Sequence, residues 1–377
     1  MMRMTDPLTA VDLPEGGALC AVSGGLDSMC LLEMTVRQGQ KQGRRVAAAH
    51  FNHQLRGAEA DRDETFVRDW CAAREIPFFA GRGDVRAFAE KTGRTVEEAA
   101  RQLRYKFLEE TRRREGFGCI LTAHHADDSA ETMLLNLLRG TGLKGLTGIP
   151  EKRDCILRPL LGATRAELAA YAAEHRIPFV EDSTNGTDDA ARNVLRHQVL
   201  PVLKKLNPRV VENMSRTASL LAADETALDA ACRKLLAQCA VTPNVSGMIP
   251  LAMLQDAPEA LRGRLVLAVL AAVAGHEKDL TAAHIRAVLT LDRGQLSMPY
   301  GVTVLREPAA LRFFKAASAP TVQAVTVGET VTFGQWQVSL AESAGEGVLI
   351  SISEIADLTV TAWDSKDHYP SWISTEV

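Results

Sequence analysis

The stretch "AVSGGLDSMCLL", Ala21–Leu32, limits the fold of this chain more than any other segment. An apolar lead enters Ser23-Gly24-Gly25, then Leu26-Asp27-Ser28, and a second apolar run begins. Paired glycines let a backbone turn sharply and come close to a ligand. "GALCAVS" (17–23) therefore reads as a short buried strand, and "SMCLLEMTVRQGQ" (28–40) as the helix it feeds. The alternation continues with strands over 45–53, 76–84 and 118–125 and helices over 61–75, 96–116 and 127–140. In the helix over 96–116, Ala99, Leu103, Phe107 and Leu108 share one face. This order predicts an α/β fold, a doubly wound and mostly parallel sheet wrapped by helices. Ligands of such folds sit at the carboxyl ends of the strands.

Near residue 186 the pattern changes. Residues 184–240 read as helical with breaks at Pro201 and Pro208, and 251–293 as helical again. "LSMPYGVTVLREPAALRFF" (296–314) reads as two strands around a turn, and 322–343 alternates with the period of a strand. The expected domains are 1–200, catalytic; 201–315, helical and ending in a β-hairpin; and 316–377, a short β-rich tail. The tail holds eight acids and one base, Lys366, which leaves 42 basic against 39 acidic residues in 1–315. A polyanionic partner suits the body and not the tail.

The glycine loop points to an anion. The helix behind it offers unpaired N–H groups and a positive dipole end, and Ser23 and Ser28 add hydroxyls. There is no lysine in the loop, and Asp27 alone repels phosphate. It fits if Mg²⁺ stands between Asp27 and the phosphates. The plainer alternative is a Gly-Gly turn whose Ser and Asp cap a helix.

Two further strings begin at strand ends. "HFNHQLRGAEADRDE" (50–64) carries His53 and Arg56. "LTAHHADDSAETMLLNLLRGTGLKGL" (121–146) places Asp127, Asp128 and Glu131 in the first turn or so of a helix. Acids there complement the helix dipole, but three in five residues exceed that need. Asp128 and Glu131, at i and i+3, share a face that suits a cationic amine. Met133, Leu134, Leu137 and Leu138 read as the core side. His124 and His125 point to opposite faces of a strand and have no spaced histidine partner, so a polar contact at the site rim is expected and not a metal. Arg101, Arg104 and Lys106 form either a solvated face or a contact to phosphate or base. Arg139 and Lys144 sit among glycines after the acidic helix. Arg192, Asn193, Arg196 and His197, extended by Lys204, Lys205 and Arg209, form a basic stripe suited to RNA phosphates.

The seven cysteines contain no CxxC pair, which argues for reduced thiols and against a zinc or disulfide framework. No run approaches a membrane span, so a soluble, cytoplasmic protein is expected.

Together these strings resemble the PP-loop ATP pyrophosphatases, and within them the tRNA(Ile)-lysidine synthetase family. The resemblance rests on Ser23–Ser28, "HFNHQLRGAEADRDE", "RQLRYKF" (101–107), "TAHHADDSAETMLLNLLRGTGLKGL", "RPLL" (158–161) and "EDSTN...RNVLRHQVLP", in order over about 17–205. SGGLDS alone marks only the superfamily; the set is specific. The resemblance implies that ATP adenylates the wobble cytidine of a CAU-anticodon tRNA(Ile), and that free L-lysine then displaces AMP to give lysidine. It implies ATP and Mg²⁺ at Ser23, Gly24, Gly25, Leu26, Asp27 and Ser28, with Asp27 acting through the metal. Lysine is implied at Asp128 and Glu131, and catalysis at Asp27, Arg104 and Asp128. His53, Arg56, Arg139, Lys144, Arg192 and Arg196 are implied as phosphate or tRNA contacts. Residues beyond about 205 resemble the family's tRNA-gripping domain. The acidic tail departs from the basic second C-terminal domain of longer members and is expected to pack on the body or serve a homodimer. The rival readings are tRNA thiolation, which the absence of a CxxC disfavours, a small-molecule ligase, and a tRNA binder without catalysis.

Overall fold

The computed structural model describes residues 7–55, 57–181, 190–315, 323–325, 330–333, 336–339 and 358–360. Arg56 and most of the acidic tail lie outside the described residues. The chain divides into two compact units, Met1–Ala227 and Leu228–Val377.

The first unit runs β1 (Ala18–Ala21), α1 (Leu26–Gln42), β2 (Val46–Asn52), α2 (Ala58–Ala72), β3 (Phe78–Arg82), α3 (Val85–Thr92), α4 (Val96–Glu115), β4 (Cys119–Leu121), α5 (Ala126–Arg139), α6 (Leu143–Leu146), β5 (Lys152–Arg153), β6 (Ile156–Leu157) and α7 (Arg165–His175). Then come α8 (Ala190–Val194), a π-helical turn (Leu195–Val199), α9 (Leu200–Leu206) and the start of α10 (Val210–Leu236). The six-stranded sheet has the order β3-β2-β1-β4-β6-β5, parallel except for the edge strand β5. Alternate residues of the buried strands serve opposite faces. Ala18, Cys20, Ala48 and Leu121 pack with α1, α2 and α7, while Leu19, Ala47, Ala49 and Ile120 pack with Leu108 of α4. The chain leaves β1 for β2 and β3, then returns to β4 on the other side of β1. A crevice therefore opens beyond the carboxyl ends of β1 and β4, the position where doubly wound sheets bind ligands.

Local signals set the helices that frame this crevice. Thr95 and Glu98 form a reciprocal cap on α4, as Thr164 and Glu167 do on α7. Ala99 and Leu108 of α4 are buried as their spacing predicts. The core reading of α5 needs correction at its end. Met133 is 7% exposed and Leu134 packs with Leu200, Leu203 and Val211, but Leu137 and Leu138 are 60% and 73% exposed. The apolar stripe outruns the helices that cover it.

The second unit holds the rest of α10, then β7 (Ala240–Thr242), β8 (Ser246–Pro250), α11 (Leu251–Asp256), α12 (Glu259–Ala274), α13 (Ala282–Leu289), β9 (Gly294–Met298), β10 (Val302–Arg306) and β11 (Ala310–Lys315). Its antiparallel sheet has the order β7-β8-β11-β10-β9. Leu265, Val266, Val269, Leu270 and Val273 of α12 are fully buried with Ile249, Val304 and Phe313. Gly247 admits the helix: a Cβ there would lie 2.5 Å from Val269. The region read as two strands contains three, and the β7–β8 hairpin joins them. Four further strands are described at Gln323–Val325, Thr330–Phe333, Trp336–Ser339 and Leu358–Val360, in the region read as β.

Candidate active site

The loop after β1 is held open by its own side chains. Ser28 Oγ accepts hydrogen bonds from the amides of Ser23 and Gly24, each at 3.2 Å, and donates to the carbonyl of Gly25 at 2.9 Å. Ser28 thus shapes the loop. Gly24 takes φ +98°, where a side chain is strained. The first intrahelical bond runs from Met29 to Gly25, so the amides of Leu26, Asp27 and Ser28 have no acceptor within the helix. That is the geometry of an anion cradle.

Asp27 projects from the first turn of α1. One carboxylate oxygen accepts from the guanidinium of Arg165 and lies 3.7 Å from His125 Nε2. The other, Oδ1, is buried without a hydrogen-bond partner. Burial raises the Asp27 pKa, against the pull of His125 and Arg165. A buried carboxylate oxygen with no donor fits a divalent cation, and Mg²⁺ characteristically binds one or two carboxylates together with substrate phosphates.

The acidic helix α5 faces this loop from the end of β4. His125 Nε2 lies 3.5 Å from Asp128 Oδ2, so one buried imidazole stands between Asp27 and Asp128. The His125 amide donates to Asp128 at 3.1 Å. Asp127 Oδ2 lies 3.8 Å from the other ring nitrogen of His125, Nδ1. Burial raises the Asp127 pKa, but Lys204 Nζ at 2.6 Å and the Arg165 amide at 2.9 Å together hold it below the usual range. Glu131 is 2% exposed and receives Arg196 on both oxygens, Nε at 2.6 Å and Nη2 at 2.8 Å. The same Nη2 lies 3.2 Å from Asp128. Arg192 Nε is 3.7 Å from Glu131, and its Nη2 donates to Thr132. Arg192 and Arg196, read from sequence as phosphate or tRNA contacts, thus meet the carboxylates of α5.

Arg101 and Arg104 of α4 and Arg153 of β5 gather around Tyr105. The guanidiniums of Arg101, Arg104 and Arg153 lie 4.9, 5.4 and 5.8 Å from its ring centre. Arg101 is exposed and Arg104 half-buried, and burial lowers the Arg104 pKa. His124 sits near this cluster and accepts from or donates to Thr122 Oγ1 at 3.0 Å. Burial pushes its pKa down to about 4, with Arg158, Arg104 and Arg101 adding to the effect and Asp128 opposing it. The unfolded chain therefore binds more protons than the folded one between about pH 4 and 6.5, and stability falls as pH drops through 6.5. His124→Asn is expected to flatten that part of the Tm–pH curve, read by thermal unfolding from pH 7.5 to 4.5. An unchanged slope would show that His124 is not its source.

His53 is half-buried beside Phe51, with ring centres 5.0 Å apart. Arg139 and Lys144 are exposed. Sequence reading missed Arg165 on α7 and gave Lys204 only a general basic role. The capping threonine before Arg165 was the one local signal available.

A family model for a PP-loop domain matches residues 3–203. A tRNA(Ile)-lysidine synthase of Geobacter sulfurreducens is 32% identical over 97% of this chain and 77% of its own length. This chain belongs to the tRNA(Ile)-lysidine synthase family. Members from Petrotoga mobilis and Porphyromonas gingivalis are 42% and 43% identical over 54% and 53% of this chain. The chain spans 65% and 43% of those two relatives' lengths. The family assignment covers the PP-loop, the acidic helix and the first basic helices. Among the described residues, no helix is long and apolar enough to cross a membrane.

Proposed function

We propose that this protein is an ATP-dependent ligase that joins L-lysine to C2 of the wobble cytidine of a CAU-anticodon tRNA(Ile). The observation that carries the reading is His125, within 4 Å of both Asp27 of the phosphate loop and Asp128 of the amine-binding helix. This closeness supports a single site in which a cradle for a pyrophosphate leaving group adjoins a carboxylate pair for a cationic nucleophile. The family membership of the chain supports the same reading.

In the first step the cytidine C2 oxygen attacks the α-phosphorus of ATP. The new O–P bond forms as the bond to the β-phosphate breaks, and pyrophosphate departs into the cradle of Leu26–Ser28. Asp27 would hold Mg²⁺, which would supply charge neutralisation for those phosphates. In the second step a lysine amine attacks C2, and the C2–O bond breaks with its electron pair leaving on AMP. Asp128 and Glu131 orient the amine and accept its proton, although they favour its charged form beforehand. Arg104 serves the activated base. The helical region beyond about residue 205 supplies tRNA affinity through its basic residues.

The test is incubation with ATP, Mg²⁺, labelled lysine and CAU-anticodon tRNA(Ile). Label is expected in the tRNA, together with stoichiometric AMP. AMP release without lysine transfer would sink the proposal.

Cysteine chemistry takes no part. The Cys155 thiol donates to Glu109 at 3.1 Å, and burial together with that carboxylate raises its pKa, which suppresses the thiolate. Cys155→Ser is expected to retain lysine transfer within about twofold, since serine can keep the hydrogen bond. A dead Cys155→Ser enzyme, with its fold intact by circular dichroism, would revive the thiolation reading.

A further inference from the structure

We infer that Arg196 is a tethered competitor of the substrate amine for the carboxylates of Asp128 and Glu131, an inference that rests on the lysine-binding role proposed for that pair. Arg196 uses Nε and Nη2 to engage both oxygens of Glu131, at 2.6 and 2.8 Å, and the same Nη2 reaches Asp128 at 3.2 Å. Glu131 is 2% exposed, so its oxygens admit few donors at a time. An ammonium needs those same acceptors. Guanidinium and ammonium therefore exclude one another at this pair.

The backbone that carries Arg196 is suited to withdrawal. Arg196 lies in the π-helical turn Leu195–Val199, between α8 and α9. Such turns are rare and concentrate at functional sites. Pro201, at the start of α9, has a local cause to offer: it lacks the N–H that an α-helix would direct to the carbonyl of His197. A shift of one residue in helical register rotates a side chain by about 100°, enough to take Arg196 off the carboxylates. Withdrawal alone leaves Glu131 buried without its bidentate partner, which is costly. An arriving ammonium removes that cost. Lysine entry and Arg196 release are thus coupled, and apparent lysine affinity is lowered by the fraction of molecules in which Arg196 is engaged.

The contact also bears on specificity. A carboxylate pair that holds a guanidinium does not by its charge reject free arginine. Arg196 fills the place an arginine side chain would take, so its removal is expected to admit L-arginine.

The experiment is calorimetric titration of the full chain with L-lysine, without nucleotide or tRNA, for wild type, Arg196→Ala and Arg196→Gln. Both variants are expected to bind lysine about tenfold more tightly than wild type, and to bind L-arginine in competition with it. Glutamine keeps a donor for Glu131, so it guards against misfolding in the alanine variant. Lysine is also expected to raise the Tm of the variants more than that of wild type. Unchanged or weaker lysine binding in the variants overturns the inference. A measurement on wild type needs no variant: the Arg196 Nε–H, bonded to Glu131 at 2.6 Å, is expected to give a resonance protected from exchange that is lost on saturation with lysine, and its persistence overturns the inference. Glu131→Gln separates the two levels of the argument. If that variant binds lysine as wild type does, the lysine site is elsewhere and the functional reading fails. If it loses lysine while the Arg196 variants gain nothing, only the competitor role fails.

Discussion

Asp27→Asn is expected to lower tRNA-dependent pyrophosphate release by at least about 10²-fold, the scale on which a preorganised charge-stabilising group acts. Asparagine is isosteric, and its carbonyl oxygen can still accept from Arg165. What it loses is the anionic oxygen Oδ1, buried and without a donor, that fits a cation bridging to phosphate. Stability moves the other way. Burial raises the Asp27 pKa, so the folded protein binds more protons than the unfolded chain between about 3.8 and that raised value. Stability therefore falls as pH rises through this window, and the loss persists at neutral pH. Removing the charge is expected to leave Tm at pH 7 equal or higher. A variant slow in pyrophosphate release but not less stable would mark Asp27 as a functional residue whose charge the fold tolerates at a cost. Near-normal pyrophosphate release would remove Asp27 from the phosphate site.

Glu131→Gln is expected to separate the two chemical steps. Hydrogen bonds to charged groups contribute about 1.5–3 kcal/mol, so the KM for lysine should rise roughly 10- to 150-fold. Single-turnover adenylation, followed as the first equivalent of pyrophosphate, should stay within a few-fold. The reason is position: Glu131 sits one turn beyond Asp128 on α5 and is engaged by Arg196 and Arg192. An equal fall in both steps would mean that Glu131 supports the site as a whole and does not bind lysine in particular. The variant also removes the anion that holds Arg196, so altered stability is expected and Tm must be read beside the kinetics.

Local features were legible without coordinates. The Gly24 turn, the start of α1, the acids at the head of α5 and the helical period of α4 depend on neighbours within a few residues. Their chemistry is written in those neighbours. Strand–helix alternation likewise sufficed for a parallel sheet, because parallel strands need crossover connections. The hairpin β7–β8 was less legible, since "VTPNVSGMIP" carries turn residues throughout and its strands are short.

Sequence by itself determined that a phosphate loop with an aspartate and a helix with a carboxylate pair exist, and that both begin at strand ends. Tertiary structure decided which charges meet. Arg165 reaches Asp27 across 138 residues, Lys204 reaches Asp127 across 77, and Arg196 reaches Glu131 across 65. It also decided how far the apolar stripe of α5 is covered, leaving Leu137 and Leu138 exposed. The physical reason is the same in both cases. Helical period fixes which side chains share a face, but only the packing of distant segments fixes what that face touches. A basic stripe read as an RNA surface therefore contains an arginine that closes on the site's own carboxylates.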